Sequence, residues 1–111
     1  ETLAEKGQGL TGSSGLSSVG AVVGATAGSE ARDLRRQMPN AWFLVPGVGA
    51  QGGATEDAVA GSRTDGLGCL VNSSRGVLYP PVSDQQAYEE SPASWIRGSA
   101  ERHAARFQFD E

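Results

Sequence analysis

The chain has 111 residues, 16 of them glycine, about twice the ordinary share, so backbone geometry carries an unusual part of its design. Nine Lys and Arg against thirteen Asp and Glu give a formal net charge of -4, with no basic cluster, which excludes the electrostatic footprint of nucleic-acid binding and a polybasic membrane patch. No apolar run approaches the ~18 residues of a membrane span, the single cysteine excludes an internal disulfide and a Cys-rich zinc site, and the lack of a signal-peptide pattern points to a cytoplasmic location.

Residues 1–18 offer one short helical turn followed by Gly/Ser-rich sequence with little apolar surface to bury, and are expected to be a linker or mobile loop. Residues 19–24, VGAVVG, are an apolar β-branched run bounded by glycine, the pattern of a strand buried on both faces. A helix signal follows, with Ser29 as N-cap, Glu30 near the positive end, Arg35 and Arg36 near the negative end and Pro39-Asn40 as the stop. Residues 42–45 are again apolar throughout, and after PGVGAQGG a second helix is expected over residues 55–61, with Glu56 and Asp57 in its first turn. After a turn at Thr64, Asp65 and Gly66 comes a third strand, about residues 67–71, in which Cys69 reads as a small core side chain. From Ser91 onward, Pro92 opens a terminal covering helix that puts Ile96, Ala100, Ala104 and Phe107 on one face. His103 on that helix reads as a partly exposed structural histidine, and Trp42 and Trp95 read as core packing. Strands separated by helices in this way are consecutive βα units, hence an α/β chain with a parallel sheet, either doubly wound or closed into a barrel.

The chemistry gathers in two loops on the carboxyl side of expected strands, where α/β folds place their sites. In residues 46–53 the glycines permit positive φ and close backbone approach, leaving amide N–H groups free to point at an anion. In residues 72–76, NSSRG, the Arg75 guanidinium can pair bidentately with phosphate oxygens while Ser73 and Ser74 supply further donors. Two such loops make a phosphate cup. Gly47, Gly49 and Gly52 also match the dinucleotide fingerprint G-x-G-x-x-G, but the position where a ribose-binding carboxylate belongs is Asn72, and Asp65 precedes the strand. Taken alone, Gln51 also suits a helix cap, and Ser73 and Ser74 suit turn formation.

The segments VGAVVGAT, MPNAWFLVPGVGAQGG and DGLGCLVNSSRGVLY, spread over about residues 18–79, together resemble the C-terminal part of orotidine 5'-phosphate decarboxylase, in the longer bacterial branch of that family. The resemblance implies strands six to eight of a (β/α)8 TIM barrel, with residues 19–111 forming the C-terminal portion of a single barrel domain whose whole would take ~250 residues. It implies that Gln51 reaches between the phosphate and pyrimidine of orotidine 5'-phosphate or UMP and that Arg75 clamps the phosphate. Ser74, Gly49 and Gly52 would stand close by, and Thr26 would face the same mouth from the end of the sixth strand. It further implies the N-terminal part of the barrel as partner, a homodimer, and neither cofactor nor metal. The family's Asp-x-Lys-x-x-Asp cluster with its further lysine is missing: the only lysine is Lys6, in Ala4-Glu5-Lys6-Gly7. The chain is therefore expected to hold the substrate and to contain no catalytic residue. The alternatives are another phosphosugar-binding barrel enzyme and a non-catalytic phosphate-binding or assembly module.

Overall fold

The three apolar runs become three short strands in the computed structural model, which describes residues 2–26, 28–49 and 53–107. They are β1 (Gly20–Val22), β2 (Trp42–Val45) and β3 (Cys69–Val71), hydrogen-bonded in the order β1-β2-β3. Both pairings are parallel, with Ala21 opposite Phe43 opposite Cys69 and Val22 opposite Leu44 opposite Leu70. The expected helices lie between them: α2 (Gly28–Gln37) joins β1 to β2, and α3 (Thr55–Ala58) lies between β2 and β3. The architecture is therefore α/β with a parallel sheet.

One face of this sheet is a core. Phe43 is 0% exposed, and Val45, Ala31 and Ala58 are buried around it. Gly61 comes so close that a Cβ there would lie 2.9 Å from the Phe43 ring. On the opposite face the registered row Val22, Leu44 and Leu70 is 70%, 41% and 54% exposed. The expectation of strands buried on both faces is corrected on this point. Residues alternate across a strand, and α2 and α3 supply a layer for one side only.

Ser29 is not the cap of its helix, because α2 begins at Gly28. A Cβ at Gly28 would overlap the Asp57 carboxylate, so an acidic group from α3 sits at the positive end of α2. At its other end Arg35 ties several segments together. Its Nε donates to Gly61 C=O at 2.6 Å, one terminal nitrogen to Met38, Pro39 and Ala41 C=O at 3.1, 3.3 and 2.6 Å, and the other to Gly68 C=O at 2.9 Å. The guanidinium also lies 3.9 Å from the centre of the Phe43 ring, and burial pushes its pKa below the ordinary arginine value. Gly68 is glycine for two reasons: its φ is +96°, and a Cβ would press within 2.8 Å of Arg35.

Residues 2–18, expected as a linker or mobile loop, carry the helical turn α1 (Leu3–Lys6), closed by a capping box between Thr2 and Glu5. Leu16 and Ser17 are buried. Ser17 N–H donates to Asn40 C=O at 2.7 Å, and Arg63 donates to Ser14 C=O at 3.1 Å.

The chain divides into two compact units, Glu1–Asn72 and Ser73–Glu111. The second is helical: α4 (Ser74–Leu78), α5 (Gln85–Glu90) and α6 (Pro92–Ala104), with 3-10 turns at Val82–Asp84 and Ala105–Phe107. Trp95 is half-buried, meets Tyr88 edge-on with ring centres 5.6 Å apart, and donates its indole N–H to Asp84 at 3.2 Å. The face of α6 turned inward matches the expected one only in part. Ile96 and Phe107 are half-buried, but Ala100 and Ala104 are exposed, and Trp95, Ser99 and His103, spaced at i, i+4 and i+8, are half-buried or buried instead.

Candidate functional site

The loops that leave the carboxyl ends of β1 and β2 are stitched together. Ala25 N–H donates to Pro46 C=O at 3.2 Å, and a Cβ at Gly53 would lie 2.7 Å from the Ala25 Cβ and 3.0 Å from Gly47 C=O. Only glycine at position 53 allows this approach. Gly47 and Gly49 have φ of +94° and +76°, the left-handed conformation that glycine adopts without strain. Gly49 N–H donates to Gly53 C=O at 3.1 Å and Gly53 N–H to Gly47 C=O at 3.3 Å, so the loop closes on itself, and Val48 is buried beneath it. Two amides expected to be free for an anion are thus used within the loop. Gly49 nonetheless is exposed, with none of the described residues within 4 Å of where its Cβ would be.

Thr26 is exposed on the loop after β1, on the same side of the sheet as this glycine loop. Gln51 and Gly52 lie outside the described residues. Ser74 and Arg75 belong to the second unit, where both are exposed in the first turn of α4. The first unit therefore carries Thr26 and Gly49 on neighbouring loops, and the second carries Ser74 and Arg75 on one helical turn. Among the described residues no group of three or more His, Cys, Asp or Glu side chains could hold a metal ion, and no helix is long and apolar enough to cross a membrane.

The opposite end of the sheet has a different character. A cavity of about 280 Å³ opens there, lined by Leu3, Gln8, Val19, Met38, Pro39 and Ala41, and it holds no charged side chain. Arg35 secures this end, where Ala41 and Gly68 precede their strands. In parallel α/β sheets ligand chemistry belongs to the carboxyl ends of strands and the amino ends serve stability, so the glycine loop is the better candidate site than this cavity. Sequence reasoning missed Arg35's reach to Gly61 and Gly68 and read it only as a helix-end charge. The Arg35 to Gly68 contact spans 33 positions and leaves no local pattern.

These features define a parallel α/β protein with a glycine-rich loop at the carboxyl end of its sheet. Comparison with known proteins makes this specific. No family model matches the chain. It is 46% identical over 83 residues to orotidine 5'-phosphate decarboxylase of Caldicellulosiruptor bescii, covering 71% of this chain and 27% of that protein. The same enzyme of Clostridium tetani is 46% identical over 88 residues, covering 78% of this chain and 30% of the relative. Among solved structures, Leishmania donovani UMP synthase superposes with a TM-score of 0.58 at 38% identity, covering 97% of this chain and 22% of the other. The resemblance carried by the motifs is therefore borne out: the chain is homologous to a segment of orotidine 5'-phosphate decarboxylase. It spans less than a third of the length of these relatives.

Proposed function

We propose that the chain is the phosphate- and pyrimidine-binding C-terminal portion of an orotidine 5'-phosphate decarboxylase, a cytoplasmic carboxy-lyase converting orotidine 5'-phosphate to UMP and carbon dioxide. The observation that carries the proposal is the PGVG turn directly after β2, joined to the loop after β1 at the carboxyl end of a parallel sheet. Barrel enzymes commonly bind phosphate with the loops after strands seven and eight. In this reading β1, β2 and β3 are strands six, seven and eight, and the exposed row Val22, Leu44 and Leu70 is the barrel-facing side that the N-terminal strands cover.

Arg75 and Ser74 take the phosphodianion, Gln51 bridges phosphate and base, and Gly49, Gly52 and Thr26 contribute to substrate binding. A guanidinium suits this task because its planar fork matches two phosphate oxygens at once. None of these groups breaks the carbon–carbon bond. They hold a part of the substrate remote from the reacting carbon, and that binding energy lowers the barrier only where it is stronger in the transition state. The acid and lysine groups that protonate C6 come from the preceding part of the barrel.

The test is decarboxylation by the full-length protein, followed by the fall in orotate absorbance. Gln51→Ala should lower kcat and raise KM together, because its amide touches both ends of the substrate. Unchanged kinetics would contradict the bridging role.

A further inference from the structure

Ser99 and His103 lie behind the turn that carries Arg75. Ser99, on the inner side of α6, is 1% exposed, and its hydroxyl donates to Gly76 C=O at 3.0 Å. That carbonyl has a specific need for it. Its helical partner would be the N–H four residues on, but position 80 is proline, which has none. One turn along α6, His103 Nδ1 lies 2.8 Å from Ser99 C=O. A carbonyl only accepts, so Nδ1 carries the proton and donates to it. The Nε2 edge rests against Gly76, where a Cβ would come within 2.7 Å of it and within 2.8 Å of Ser73 Oγ. Gly76 has no positive φ, so want of room makes position 76 glycine. Arg75 is its immediate neighbour, and the peptide that joins the two is held by Tyr79 N–H donating to Arg75 C=O at 3.1 Å.

We propose that Ser99 and His103 are positioning residues for Arg75: seated on Gly76, they fix the first turn of α4 so that the guanidinium is presented to a nucleotide 5'-phosphate in one orientation. The proposal rests on the reading of Arg75 as the phosphate clamp. A guanidinium on a long side chain gains from a fixed backbone because less conformational freedom is lost when the phosphate binds. The effect should therefore reach only ligands that carry the phosphate.

The experiment measures UMP and uridine affinity of the full-length protein and its variants. Ser99→Ala and His103→Ala should each weaken UMP about 3- to 10-fold, the loss expected for one neutral hydrogen bond, and leave uridine unchanged. His103→Asn, whose amide N–H can replace Nδ1–H, should restore UMP binding. Ser99→Ala combined with Arg75→Ala should bind UMP no more weakly than Arg75→Ala alone. Equal losses for both ligands, additive losses in the double variant, or unchanged UMP affinity would overturn the positioning role. Arg75→Ala separates the two claims: no selective loss of UMP overturns the phosphate reading itself, whereas a selective loss with silent Ser99 and His103 variants overturns only this inference.

Discussion

Arg35 and Arg75 carry the same guanidinium in contrasting settings. Arg35 is half-buried, stacked on Phe43 and bonded to carbonyls from residues 38–41, Gly61 and Gly68, whereas Arg75 is exposed on the first turn of α4. Removing Arg35 takes away its bonds to Gly61, Ala41 and Gly68 C=O together, so Arg35→Ala should destabilise the full-length protein by about 3 kcal/mol, the upper range for one bond to a charged group. Arg35→Lys should rescue little, since a single ammonium cannot span Gly61 and Gly68 together. Chemical denaturation checks this, and a loss below about 0.5 kcal/mol, the level of an ordinary surface change, would contradict it. Arg75→Ala should behave the other way, with stability unaltered and UMP binding weaker by about 1.5–3 kcal/mol while uridine binding changes little. Equal losses for nucleotide and nucleoside would show that Arg75 does not read phosphate.

At the scale of elements, the sheet makes a prediction through its exposed row. If the N-terminal strands of a barrel cover Val22, Leu44 and Leu70, Leu44→Ala in the full-length protein should cost about 2–5 kcal/mol, as a buried leucine does. A cost typical of a surface leucine would mean that the face is open there too. The strands were legible as short, wholly apolar runs bounded by turn residues, and the PGVG turn because its positive φ values demand glycine. The orientation of α6 was not. The alanines at 100 and 104 and the aromatic at 107 read as an apolar stripe, but Gly76 admits a close approach of the His103 ring, and the hydroxyl of Ser99 answers a carbonyl that Pro80 leaves without a donor. Such a pairing joins residues 23 positions apart, beyond the reach of periodicity. The start of α2 shows the same limit, since the acidic group packed against Gly28 is Asp57 of α3.

For the whole molecule, three strands with two open edges and an apolar face make a surface that soluble proteins ordinarily cover. The 111-residue chain made alone should be self-associated or partly unfolded, which light scattering and circular dichroism would register. A monodisperse, cooperatively folded monomer would favour a stand-alone module. The division of labour gives the sharpest test, because the only lysine, Lys6, lies on the turn α1 outside any Asp-x-Lys-x-x-Asp pattern in the sequence. Orotidine 5'-phosphate is incubated in parallel with the chain and with the full-length protein, and orotate absorbance is followed. Loss of absorbance with the full-length protein and none with the chain is the predicted result; turnover by the chain alone, or none by the full-length protein, would contradict the assignment.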